Sequence, residues 1–117
     1  DKEELIDAVT AISGSGPAYF FLLMEEMVKA GVRMGIPVDI AEDLVYQTAK
    51  GAGVLAKQAY ARGESPAELR RKVTSPNGTT EAAIKVFTQL NLGDTLFAGF
   101  ERARQRSMEL SKEVENS

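Results

Sequence analysis

The chain has 117 residues, 44% of them hydrophobic, and a net charge of −3 with acidic and basic residues interspersed. That is enough for one globular domain with its own core, and it offers no basic surface for nucleic acid. Cysteine and histidine are both missing, which excludes disulfides, thiolate nucleophiles, Cys- or His-type metal sites and a Ser-His-Asp triad. Any chemistry then draws its reactive atoms from a cofactor or a second domain, and a cysteine-free chain fits a cytoplasmic location.

The chain opens at Asp1 without an initiator methionine, as a piece of a longer protein would, and no signal peptide is visible. Residues from about 3 to 10 read as a short helix. It leads into Ser13-Gly14-Ser15-Gly16-Pro17, a tight loop that places Pro17 first in the next helix, where its missing N–H is harmless. That helix runs to about Gly35 and is closed by Gly35-Ile36-Pro37. Its first half, Ala18-Tyr19-Phe20-Phe21-Leu22-Leu23-Met24, is apolar all round. Such a helix needs burial on more than one side, at the centre of a bundle or against a second copy or domain. The longest apolar run, residues 17–24, stops at Glu25-Glu26 and is too short to span a bilayer, so no membrane segment is expected.

Asp39 and Glu42 form a capping pair for a long helix ending near Arg62. Within it Ala49, Gly53, Ala56 and Tyr60 recur at roughly helical spacing, which suits close approach by another helix. Gly51 and Gly53 follow no strand and therefore make no dinucleotide fingerprint. Ser65-Pro66-Ala67-Glu68 is a capping box opening a short helix that ends near Lys72. Arg70, Arg71 and Lys72 lie in its last turn, where the helix dipole favours cations, and they are also placed to draw an anion towards the next turn. After a helix from about Thr79 to Leu90, Asn91-Leu92-Gly93 reads as a stop and Asp94 as a cap. The last helix carries Leu96, Phe100, Ala103, Ser107, Leu110 and Val114 in steps of four and three, a seam for another helix. Glu115-Asn116-Ser117 should fray. No strand pattern appears, and the chain reads as all-α.

The stretch richest in chemistry is Val73-Thr74-Ser75-Pro76-Asn77-Gly78-Thr79-Thr80-Glu81. Pro76 stops the preceding segment, Asn77-Gly78 permits positive φ, and Thr79, Thr80 and Glu81 fill the first turn of a new helix. Helix N-terminal N–H groups without partners then stand beside the hydroxyls of Ser75, Thr79 and Thr80. Such a place suits a carboxylate or a phosphate. The plainer alternative is that Asn77 or Gly78 merely caps the helix. No lysine or arginine lies between Thr74 and Ala83, which counts against phosphate.

Ile12-Ser13-Gly14-Ser15-Gly16-Pro17-Ala18-Tyr19, then Gly31-Val32-Arg33-Met34-Gly35-Ile36-Pro37, then Val73-Thr74-Ser75-Pro76-Asn77-Gly78-Thr79-Thr80 together resemble the C-terminal domain of the pyrroline-5-carboxylate reductase family over nearly the whole chain. The resemblance implies an all-α bundle of about five to six helices, similar to the C-terminal domain of 6-phosphogluconate dehydrogenase. It implies that a second copy intertwines with this one as a homodimer, with larger assemblies of dimers in many members. It also implies an N-terminal Rossmann domain, absent from residues 1–117, that binds NADPH or NADH, without which the chain is inactive. The implied reaction is reduction of 1-pyrroline-5-carboxylate to L-proline, the last step of proline synthesis. Carried over, the substrate site is Val73, Ser75, Asn77, Gly78, Thr79 and Thr80. Ser75 and the amides near Gly78 and Thr79 would hold the carboxylate, and the hydroxyl of Thr80, the one catalytic candidate, would contact the ring nitrogen. The Ser13 to Pro17 segment would line the same site or brace the dimer, bracing being the favoured reading. The family commonly has Gly-Gly where this chain has Asn77-Gly78, and asparagine tolerates the positive φ. The alternative reading is a non-catalytic helical dimerisation or anion-binding module.

Overall fold

A computed structural model describes residues 1–116; Ser117, the end of the segment expected to fray, lies outside the described residues. The elements are α1 (Lys2–Val9), α2 (Gly16–Arg33), α3 (Val38–Ala61), α4 (Pro66–Lys72), α5 (Thr79–Gln89) and α6 (Leu92–Glu115), with a π-helical turn, Thr10–Gly14, joining α1 to α2. No strand occurs among the described residues, in keeping with the all-α expectation. The chain divides into two compact units, one made of Asp1–Phe21 with the segment from Phe87 onward, the other of Leu22–Val86.

In the first unit, the expected loop around Ser13-Gly14 is a helical turn of wider pitch. The Ser15 N–H donates to the Thr10 carbonyl at 2.9 Å, five residues back. Pro17 supplies the cause: it has no N–H, and its ring crowds the carbonyl four residues earlier, that of Ser13. One extra residue in the turn relieves the crowding while both flanks stay helical. The hydroxyls of Thr10 and Ser13 donate back to the carbonyls of Ile6 and Val9, each at 3.0 Å. The wider turn deprives the Ala11 carbonyl of the Ser15 N–H that an α-turn would supply, and the Tyr19 hydroxyl donates to it instead at 2.7 Å. Ala11 is itself buried.

The Tyr19 ring also meets Phe100, centroids 4.8 Å apart, and the Ser107 hydroxyl donates to the buried Asp7 carboxylate at 2.8 Å. The middle of the expected seam on α6 therefore packs on α1 and the π turn, while Leu96, Leu110 and Val114 stay exposed. Asn91, not a glycine, reverses the chain into α6. It adopts φ 60 in the left-handed region, so Gly93 and Asp94 lie inside the first turn of α6 and neither stops nor caps a helix.

In the second unit, α2 ends with Gly35 at φ 100; the Gly35 N–H donates to Val32 O and the Ile36 N–H to Gly31 O, each at 3.0 Å, a closed C-terminus of the Schellman type. Pro37 then begins α3, its carbonyl accepting the Ala41 N–H at 2.9 Å. The helix thus starts ahead of Asp39, which sits with Glu42 inside it and makes no capping bond. Gly63, at φ 72, ends α3 in the same manner as Gly35, and the Ser65–Glu68 capping box opens α4 as expected. Gly51 and Gly53 have no neighbour where a Cβ would stand, and Tyr60 is 87% exposed. Among the described residues, nothing makes the close approach that Gly51 and Gly53 suit.

Ala11, Ala41, Val45 and Ala59 are the buried apolar residues among those described, whereas Phe20, Phe21, Leu22 and Leu23 are all more than half exposed. The apolar half of α2 is thus not the centre of this chain's own bundle. Because the π turn keeps the backbone helical, Lys2 to Arg33 forms a run of 32 residues that is long and apolar enough, by length and composition alone, to cross a membrane. The eight-residue apolar run seen in the sequence understated that length. Replacing Tyr19 with Phe is expected to leave the Ala11 carbonyl unpaired and to lower stability by about 1–2 kcal/mol, read as a lower denaturant midpoint at unchanged slope.

Candidate functional site

The candidate site is built as α4 stops. Val73 closes α4, its N–H donating to Arg70 O at 3.2 Å, and the Thr74 hydroxyl donates to the same carbonyl at 2.6 Å. Ser75-Pro76-Asn77-Gly78 follows as a β-turn, with the Gly78 N–H donating to Ser75 O at 3.1 Å and Asn77 at φ 60. Positive φ at the third residue is what a type II turn demands. The two residues of the turn dipeptide divide the work. Asn77 takes the left-handed conformation, while Gly78 takes the close approach: a Cβ there would stand 3.2 Å from Ser75 O and 3.4 Å from Ser75 Cβ. The Gly78 carbonyl accepts the Ala82 N–H at 3.2 Å, so α5 begins at Thr79.

Val73, Ser75, Asn77, Gly78, Thr79 and Thr80 are thereby gathered on one turn and the helix start that follows it. The Asn77 side chain caps nothing; its backbone N–H donates to Glu81 Oε1 at 3.2 Å. The N–H groups of Thr79 and Thr80 and the hydroxyls of Ser75, Thr79 and Thr80 have no intramolecular partner among the described residues. Apart from the half-buried Gly78, the six are exposed. The arrangement offers neighbouring donors at the positive end of a helix, chemistry suited to a carboxylate, with the apolar Val73 before it.

Two acidic residues near the turn, Glu81 and Glu64, make side-chain bonds that the sequence reading did not assign. Glu81, 3.8 Å from Lys85 Nζ, folds back onto Asn77; its place as third residue of the helix was the available signal. Glu64, just past the end of α3, accepts from Arg62 Nε and from Lys72 Nζ, both at 2.7 Å on Oε1. The Arg62 bond, and next the Lys72 bond, hold its carboxyl well below the usual carboxylate range, down to about 2. It is ionised throughout the neutral range. Lys72 is accordingly paired with Glu64 in this structure. With no strand among the described residues, and Gly51 and Gly53 inside α3, these residues do not build the strand-turn-helix cradle of a nicotinamide dinucleotide.

A family model for pyrroline-5-carboxylate reductase dimerisation matches residues 3–110. The chain belongs to this family. It is 52% identical over 114 residues to the pyrroline-5-carboxylate reductase of Pseudomonas aeruginosa, covering 97% of this chain and 41% of that protein. Against the Synechocystis pyrroline-5-carboxylate reductase it is 42% identical over 110 residues, 94% of this chain and 40% of the relative. Among solved structures, a pyrroline-5-carboxylate reductase from Coxiella burnetii superposes with a TM-score of 0.82 at 41% identity, over 94% of this chain and 40% of that one. A Plasmodium falciparum pyrroline carboxylate reductase with NADP bound gives 0.76 at 30% identity, over 87% and 40%. The chain thus spans about two-fifths of the length of these reductase relatives.

Gly78→Ala is expected to force the turn apart at Ser75, moving the NMR amide resonances of residues 75–81 while those of α3 keep their positions. Asn77→Gly, which keeps the positive φ accessible, is expected to leave the same resonances near their original places.

Proposed function

We propose that this chain is the dimerisation and substrate-holding part of a pyrroline-5-carboxylate reductase, which reduces 1-pyrroline-5-carboxylate to L-proline in the cytoplasm. The observation that carries the substrate part is the open start of α5, where the N–H groups and hydroxyls of neighbouring residues have no partners among the described residues. A Rossmann domain in the remainder of the enzyme holds NADPH or NADH, whose chemistry is hydride delivery to the C=N carbon.

This chain's own residues bind and orient. The Thr79 and Thr80 N–H groups and the Ser75 hydroxyl donate to the substrate carboxylate and fix one end of the ring. The Thr80 hydroxyl accepts a hydrogen bond from the protonated imine and then from the product amine, so no histidine is needed. Holding the ring at a fixed attitude contributes several kcal/mol, on the order of what well-oriented groups supply in other systems.

A second copy of the chain covers the apolar face of α2. Burying each of Phe20, Phe21, Leu22 and Leu23 contributes about 1.5–3 kcal/mol. The charged cluster Glu25, Glu26 and Lys29, paired at 3.2 and 3.7 Å, and the break in the ladder at Pro17 favour a protein partner over lipid for the same helix.

Thr80→Ala in the enzyme complete with its nucleotide domain is expected to lower kcat about tenfold or more, with the Kd for NADPH within a factor of two. Mutant and parent with equal kcat and KM would end the assignment of Thr80. Sedimentation of residues 1–117 at micromolar concentration is expected to show a dimer, and a compact monomer would reject the proposed partner.

A further inference from the structure

We propose that Glu64 is a positioning residue for the turn at residues 75–78, acting through Lys72. The proposal deepens the assignment of that turn as the substrate carboxylate site and rests on it. The starting point is what α4 lacks. It is seven residues long and has no fully buried side chain, Leu69 being half-buried; a helix so short does not persist on its own propensity, and one half-buried leucine leaves little apolar contact to set its direction. Polar bonds at its two ends do so instead. At the start, Ser65 and Glu68 cap each other's backbone N–H groups at 3.1 and 3.4 Å. At the end stands Lys72, the last helical residue and the one directly before Val73, with its ammonium on Glu64.

Glu64 is well suited to be the fixed point. Its N–H donates to Ala59 O at 2.9 Å, which ties its backbone to the last turn of α3. Its side chain is only 12% exposed, and one oxygen takes both Arg62 and Lys72 while the other, Oε2, is buried without a partner. An exposed ion pair is worth little, but a carboxylate this enclosed, held by two cations, does not exchange freely with water. Fixing Lys72 to the end of α3 fixes where Val73 leaves α4. That in turn sets where Ser75, Gly78 and the start of α5 lie. Small displacements of orienting groups carry large rate penalties, on the order of a hundredfold for 1 Å.

The test uses the enzyme complete with its nucleotide domain. Glu64→Gln and Lys72→Met are expected each to raise KM for 1-pyrroline-5-carboxylate about tenfold, with KM for NADPH and the melting temperature little changed. Lys72→Arg, which keeps the cation, is expected to restore substrate KM to within about threefold. Substrate KM at the parent value in both Glu64→Gln and Lys72→Met overturns the proposal, as does a rise in both KM values together with a fall in melting temperature. The site assignment is tested apart from this by titrating the parent enzyme with L-proline and following the amides of residues 75–81. No response would defeat that assignment. In that event displacement of the same amides by Glu64→Gln, with ligand absent, still decides whether Glu64 positions the turn.

Discussion

Burial is the constraint on which the rest of this structure depends. Three alanines and one valine are the buried apolar residues among those described, yet the chain maintains two helices of 24 residues each, α3 and α6. Ordering a residue costs about 1–2 kcal/mol of backbone entropy, whereas each buried methylene returns only about 0.8 kcal/mol. So small a core does not hold such helices in place. The apolar side chains of α2, and those of Leu44, Val54 and Leu55 on α3, which are also exposed, supply the missing area once another surface covers them. Gly51 and Gly53 fit the same account. Each weakens an isolated helix by about 1 kcal/mol, a cost that makes sense where another helix packs against the bare backbone.

Scarce burial leaves local shape to polar bonds and backbone conformation. Glycines 35 and 63 close two helices with matching pairs of hydrogen bonds, Asn91 reverses the chain in one left-handed residue, and Pro17 widens a turn without ending the helical run. The tie from Tyr19 to Ala11 and that from Ser107 to Asp7 show the same economy. Each uses a hydroxyl to satisfy a group that a larger core would have enclosed among apolar neighbours.

The helices were legible because their spacing is a property of the chain itself: apolar residues recur at 3.6, and Gly and Pro punctuate them. The expected all-α class follows from that alone. The misplaced boundaries share a different origin. Ser13-Gly14-Ser15-Gly16-Pro17 carries every mark of a loop, but the Ser13 hydroxyl bonding back to the preceding turn and a π-helical step let the helix continue through it. Asp39 and Asp94 have capping side chains, yet Pro37 and Asn91 start their helices earlier with backbone geometry, leaving those carboxylates nothing to cap. The turn at residues 75–78 was legible because its chemistry is local. Glu64 was not, since one of its two partners, Lys72, lies eight residues away and meets it only after the chain has run the length of α4.

The start of α5 differs from the other uncapped helix starts, those of α3 and α6, in its hydroxyls. A serine or threonine in or just past a helix can donate to a carbonyl four residues back, as Thr10, Ser13, Thr48 and Thr74 do. Thr79 and Thr80 follow a β-turn, where the carbonyl of Ser75 is already taken by Gly78 and the chain four residues back is no longer helical. Their hydroxyls therefore have no local acceptor to compete with a ligand. The geometry that makes the turn, proline then asparagine at positive φ then glycine pressed on Ser75, is the same geometry that keeps those donors available.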